Sequence, residues 1–227
     1  MYFDRVYVPI YDATTGMLPC YQRLQRECVD NLKEVKDCDS VLCVGVGTGN
    51  EVNLILDKNN KTRVTGIDYS VPSIEKAKAR LDKRGNVSLL VGDARSLPFG
   101  DTVFDKVLCV AVMSFVRDRR RATMEIARVL KTGGTAVVTY PSLVVGTGNV
   151  FVRQLRSSHN GSVSRLLRFL LYTALYSPML LFSQEKTEST DKIKQWLCES
   201  GMLITGISRD PVYGNHIFTL LKREEQC

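Results

Sequence analysis

Three glycines at alternate positions, Gly45, Gly47 and Gly49, follow directly on an apolar run in VLCVGVGTGN. Glycine has no Cβ, so a turn built from it lets a ligand approach the backbone, and a helix starting just beyond offers N–H groups without intrahelical partners. About 20 residues further on, where an acidic side chain can accept hydrogen bonds from both hydroxyls of a ribose, Asp68 closes the β-branched run RVTGID. Asp93, in VGDARSLPF, closes a third such run, and a carboxylate there can accept from the amino group of an adenine. Three strand ends therefore converge on one nucleoside.

The spacing also excludes alternatives. A dinucleotide turn wants G-x-G-x-x-G, and Asn50 stands where its third glycine would be; a phosphate loop wants Gly-Lys-Ser/Thr, which does not follow. For moving a proton the chain offers two histidines, His159 in the polar SSHNGS stretch and His216 at the start of the last strand, besides tyrosines and carboxylates. Tyr140, at the end of the fifth strand, is better placed for that role. His216 is expected to lie away from the ligand-binding edge.

These residues need a scaffold, and the pattern around them supplies one. From Ser40 onward short β-branched runs alternate with longer amphipathic stretches, which marks an α/β protein with a mostly parallel sheet and helices on both faces. Strands are expected at 40–46, 63–68, 86–93, 104–115 and in TAVVTYP. Helices follow the glycines, start behind Ser70 as cap with Pro72 in the first turn, and run through RRRATMEIARVLK to a stop at Gly133 and Gly134. After an interruption, TDKIKQWLCESG is a helix ending at Gly201. MLITGISRD and HIFTLLK form a final antiparallel pair, which predicts a parallel sheet with one reversed edge strand. In an open parallel sheet ligands bind beyond the carboxyl ends of the strands, beside the first strand.

The chain of 227 residues is 44% hydrophobic and 24% charged, which suits one globular domain over 1–227 with an insertion at about 142–184. Its seven cysteines form no CxxC pair, which argues against a disulfide framework and against any metal site; Cys43 and Cys109 fall in strands, where cysteine acts as a small hydrophobe. The N-terminus lacks a basic region followed by an apolar core, so a cytoplasmic location is expected. The net charge of +7 is uneven, with no acidic residue between Glu125 and Glu185.

As a set and in this order, VLCVGVGTGN, GIDYS, VGDARSLPF, FDKVLCVAVMSFV and RVLKTGGTAVVTY resemble the successive motifs of the class I S-adenosylmethionine-dependent methyltransferases. The resemblance implies a Rossmann-like sheet and S-adenosylmethionine as cofactor, leaving as S-adenosylhomocysteine. It implies that Gly45, Val46, Gly47, Gly49 and Asn50 run beside the methionine part, that Asp68 holds the ribose with Tyr69 and Ser70 flanking the adenosine, that Asp93, Ala94 and Arg95 meet the adenine, and that Val110 and Ala111 lie under the sulfonium. VYVPIYDATTG resembles the lead-in of quinone-biosynthesis and small phosphatidylethanolamine N-methyltransferases, which implies that Tyr11 closes over the cofactor. Tyr11, Tyr140 and His159 are the candidate catalytic residues.

Acceptor specificity is expected from the insertion, whose longest apolar stretch, residues 163–182, is interrupted by Arg168 and Pro178 and so reads against a transmembrane span. A lid, a lipophilic substrate pocket with peripheral docking at the inner membrane surface, and a homodimer contact all fit that stretch. The expected acceptor is a small lipophilic molecule. A second basic run, Arg117, Arg119, Arg120 and Arg121, raises an anionic partner. Methylation of nucleic acid is disfavoured, because CVAVMSF lacks the Asp/Asn-Pro-Pro-aromatic motif. A cofactor-binding partner protein without turnover is the alternative reading.

Overall fold

Val41, Leu42, Cys43 and Val44 are all buried, as a strand covered on both faces must be, and they lie in the interior of a seven-stranded sheet. The structure, a computed structural model, describes residues 4–5, 8–16, 19–141, 188–210 and 214–223. In chain order these residues form α1 (Val8–Gly16), α2 (Pro19–Asn31), β1 (Ser40–Val44), α3 (Asn50–Lys58), β2 (Arg63–Asp68), α4 (Val71–Leu81), β3 (Val87–Val91), β4 (Phe104–Cys109), α5 (Arg119–Val129), β5 (Leu130–Tyr140), α6 (Thr190–Glu199), β6 (Met202–Arg209) and β7 (His216–Lys222).

The strand order is β3-β2-β1-β4-β5-β7-β6, with β1 to β5 parallel and β7 antiparallel to both its neighbours. Strand alternation divides the core between two faces. Val41 and Cys43 pack with Leu24 and Cys28 of α2, Ile55 of α3 and Ile74 of α4. Leu42 and Val44 face the side held by Ile126 of α5 and Trp196 of α6. Successive strands spread from β1 in opposite directions, so a crevice opens between β1 and β4 at their carboxyl ends.

Several boundaries differ from the sequence expectation, each for a local reason. The first strand ends at Val44 rather than Val46, because Gly45 turns with a φ of +68° and the N–H groups of Gly45 and Val46 both donate to the Ile67 carbonyl. The third strand ends at Val91, and the fourth at Cys109, where Ala111 adopts a φ of +60° and donates its N–H to Thr139 Oγ1. Gly133 and Gly134 do not stop α5. That helix ends at Val129, β5 begins at Leu130, and the glycines sit in a bulge where the pairing Phe104–Leu130 gives way to Lys106–Thr135. The reversed strand, β7, is not at the edge: it lies between β5 and β6, and β6 is the edge.

The N-cap of α4 is the one the sequence offers. Ser70 accepts the Ser73 N–H as N-cap of α4, and Asp118 accepts the Arg121 N–H at the start of α5. The basic run there is taken up by structure. Arg119 is buried with Nε donating to the Met113 carbonyl, Arg120 pairs with Glu199, and Arg121 donates to the Arg95 carbonyl. Burial pushes the Cys109 thiol up to about 12 and raises Cys43 further, so both act as small hydrophobes. Among the described residues no helix is long and apolar enough to cross a membrane. The expected insertion, with its 163–182 stretch and His159, lies outside the described residues.

Candidate functional site

The loops that leave β1, β2, β3 and β4 close around a cavity of about 610 Å³, walled on its remaining side by Val8, Tyr11 and Thr15 of α1. A volume of this size suits a small-molecule site, for which ~300–1,000 Å³ is usual. Its floor is the glycine turn. A Cβ on Gly45 would fall 2.0 Å from Val112 Cγ2, so the bare α-carbon lets the loop after β4 settle onto the turn. A Cβ on Gly47 would meet nothing within 4 Å, and its backbone lies open to the cavity.

Asp68 links the turn to the end of β2. Its Oδ2 accepts the Gly47 N–H at 2.8 Å and its Oδ1 accepts the Ser70 N–H at 2.9 Å. Burial holds the Asp68 carboxyl above the usual carboxylate range, against those two hydrogen bonds, and the Asp4 carboxylate adds to the rise. Each oxygen retains acceptor capacity for a further donor. Asp93 is in a different state, because Arg95 forks onto it with Nε at 3.0 Å from both oxygens and Nη2 at 2.6 Å, which holds its carboxyl below the usual range. The carboxylate is thus fixed in place, in charged form, on the cavity wall.

Of the residues expected from the sequence, Tyr11, Gly45, Val46, Gly47, Asp68, Tyr69, Ser70, Asp93, Ala94, Arg95, Val110 and Ala111 come together around this one cavity. Gly49 and Asn50 do not line it. Gly49 is buried against Leu81 of α4, and Asn50 Oδ1 accepts from Arg80, because the turn points these residues away from the cavity. Tyr140 does not line it either. It is fully buried, stacks edge-on to Phe218 and hydrogen-bonds Thr123 at 2.6 Å, and burial drives its phenol far above its ordinary pKa. Its hydroxyl is engaged in the core and not in the lining of this cavity. Tyr11 lines the cavity with its hydroxyl 2.8 Å from that of Tyr21.

His216 is where the sequence reading did not put it. Antiparallel pairing sets it opposite Tyr140, at the carboxyl end of the parallel strands, the same end as the cavity. It is half-buried beside Thr190 and outside the cavity lining; burial, then the charges of Arg209 and Lys194, hold its pKa below the ordinary value.

Sequence reasoning missed Glu51, which is buried in the cavity wall and accepts from Gln25 Nε2 at 2.9 Å. Burial raises its carboxyl above the usual range, with Asp68 nearby adding to the effect. Its position four residues before the buried Ile55 was the available signal, since such a pair shares one helix face. Thr48, Val112, Phe115, Val116 and Arg117 also line the cavity; they fall inside or beside the motifs singled out in the sequence, and none was assigned to the site.

A bare glycine turn, a carboxylate at the end of the neighbouring strand and a second on the next loop, all at the switch point of a parallel sheet, define a nucleoside-binding Rossmann-like protein. A family model described as a methyltransferase domain matches residues 42–138. Over these residues, which hold the glycine turn, Asp68 and Asp93, the chain is similar to class I S-adenosylmethionine-dependent methyltransferases. It is similar to a demethylmenaquinone methyltransferase of Thermotoga maritima, 36% identical over 138 residues that cover 60% of this chain and 58% of that protein. It is also similar to a phosphatidylethanolamine N-methyltransferase of Cereibacter sphaeroides, 37% identical over 101 residues that cover 43% of this chain and 48% of that protein. The chain spans about half the length of the curated relatives it matches. Among solved structures, a chain from the complex of the Haloferax volcanii Trm112 methyltransferase activator with a methyltransferase superposes with a TM-score of 0.71 at 17% identity, over 99% of both chains, a likeness of fold.

Proposed function

We propose that the chain binds S-adenosylmethionine in this cavity and transfers a methyl group to a small lipophilic acceptor of quinone or lipid type, releasing S-adenosylhomocysteine. The observation that carries the reading is the meeting of Asp68, the bare Gly47 backbone and Asp93 on one cavity wall. These residues fit the cofactor. Asp68 accepts from the ribose hydroxyls while it holds the turn, Asp93 accepts from the adenine amino group beside Ala94 and Arg95, and Tyr69 and Ser70 flank the nucleoside. Gly45, Val46 and Gly47 pass along the amino-acid portion, and Val110 with Ala111 closes the cavity beneath the reacting centre.

Bound S-adenosylmethionine supplies a sulfonium-borne methyl that is already a strong electrophile, so the protein's task is alignment and exclusion of water. Val8, Val110, Val112, Phe115 and Val116 supply the apolar wall. Tyr11 stands over that wall from α1 and orders the reacting groups. An acceptor with apolar surface suits this lining, and similarity to enzymes named for demethylmenaquinone and phosphatidylethanolamine supports that class. In this reading the protein works in the cytoplasm, touching the inner membrane surface where its acceptor is lipid-borne.

Titration calorimetry with S-adenosylmethionine, followed by transfer of a labelled methyl group to demethylmenaquinone or to phosphatidylethanolamine vesicles, tests the proposal. Saturable cofactor binding with label in either acceptor is the expected result. Binding with no transfer to any acceptor would favour a non-catalytic partner. Thermal protection by NADH in place of S-adenosylmethionine would overturn the reading, and transfer to RNA or DNA with a steep salt dependence would redirect it to nucleic acid.

A further inference from the structure

Arg80 sits at the end of α4, outside the cavity lining, yet it holds two of the cavity's walls. Its Nη2 lies 2.7 Å from Asp12 Oδ2 on α1. Its Nη1 donates to the Thr48 carbonyl and to Thr48 Oγ1, both at 3.1 Å, and to Asn50 Oδ1. Thr48 Oγ1 in turn donates to Asp12 Oδ1 at 2.6 Å. One planar guanidinium therefore ties the wall helix α1 to the residue between Gly47 and Gly49 and to the first residue of α3. Lys76, one helical turn before Arg80, donates to the Val8 and Pro9 carbonyls at 2.7 and 2.9 Å, so one face of α4 holds α1 at two points, while α2 holds it through the Tyr11–Tyr21 contact.

We propose that Arg80 is a positioning residue that sets the glycine turn and the α1 wall as one unit, so that the turn reaches its ligand-binding shape only with the wall closed. The Gly47 N–H is fixed from one side by Asp68, and the neighbouring Thr48 is fixed from the other by Arg80 and Asp12. Releasing the second anchor leaves two glycines of positive φ, Gly47 and Gly49, free to exchange conformations. Ligand entry and exit then follow the state of this node. The proposal deepens the cofactor reading above and rests on it.

Hydrogen exchange of the ligand-free protein, together with the S-adenosylmethionine dissociation rate, tests this in Arg80→Gln, Arg80→Lys and Asp12→Asn. Both Arg80 variants are expected to lose protection at 8–16 and at 45–50 together and to raise Kd about tenfold, chiefly through faster release. Asp12→Asn cuts the ion pair to α1 while Arg80 keeps its bonds to Thr48 and Asn50, so under the coupling it should loosen 8–16 and 45–50 together, and a turn that stays protected while 8–16 loosens would overturn the proposal. A merely structural Arg80 would lower Tm with Kd and the release rate unchanged in the folded protein, and that result overturns the proposal. If the wild type fails to bind S-adenosylmethionine, the cofactor reading falls. The exchange data still decide the coupling, and loss of protection confined to one of the two segments in the Arg80 variants would end it. Should Arg80→Gln not fold, Arg80→Lys and Asp12→Asn carry the same comparison.

Discussion

The Gly47 N–H donates to Asp68 Oδ2 at 2.8 Å, so the carboxylate assigned to the ribose also shapes the turn that faces the rest of the ligand. The two roles are compatible because a carboxylate oxygen has more than one acceptor site. Replacing Asp68 by alanine removes both at once. Asp68→Ala is expected to weaken S-adenosylmethionine binding by at least about 1.5 kcal/mol, roughly tenfold, measured by titration calorimetry. Unchanged affinity would mean that the ribose lies elsewhere.

Gly45→Ala should be severe, because the added methyl meets Val112 Cγ2 at 2.0 Å and the backbone holds a φ of +68°. Overpacking and a left-handed non-glycine residue together are expected to cost about 2–4 kcal/mol in urea denaturation. In a Val112→Ala background the steric part should largely vanish and the backbone part persist. Equal costs in both backgrounds would sink the packing account.

Tyr140→Phe separates core packing from catalysis. Thr123 donates its own proton to the Arg119 carbonyl, so the Tyr140 hydroxyl is the donor in its bond to Thr123. Losing that bond should cost about 1 kcal/mol of stability and leave methyl transfer unchanged. A large fall in kcat with stability intact would restore Tyr140 to the reaction.

Glu51→Gln should change how stability depends on pH. Burial raises the native carboxyl above its unfolded value, so as pH rises past that unfolded value the unfolded chain releases a proton that the native state still holds. Wild-type stability therefore falls across this window, from the unfolded value up to the native one. Below about pH 4 both states are protonated and the penalty is absent. Glutamine can still accept from Gln25 and has no proton to lose, so its advantage over wild type should grow from near zero at pH 4 and level off above the native value. Denaturation curves across this range check it, and a difference independent of pH would count against it.

The polar edge of the cavity was legible because its residues sit at strand ends, where hydrophobic periodicity stops and glycine or aspartate begins. Gly45, Gly47, Asp68 and Asp93 all stand at such points. Glu51 and Arg80 stand inside helices, and nothing local distinguishes a helical charge in solvent from one turned toward a turn or a wall. His216 was misplaced because its end of the sheet depends on which strand β7 joins, a long-range pairing invisible in HIFTLLK itself.

The sequence alone determined the α/β class, the order of the elements from Ser40 to Tyr140 and from Thr190 on, and the strand-end residues of the cavity, because a period of two or of 3.6 and a cap or turn residue are local properties of the chain. Tertiary structure decided the rest. It buried Tyr140 in the core, turned Gly49 and Asn50 away from the cavity, inserted β7 between β5 and β6, and brought Asp12 and Arg80 onto the glycine turn. Each of those outcomes depends on which distant surfaces cover one another, and burial, unlike periodicity, is a property of the whole fold.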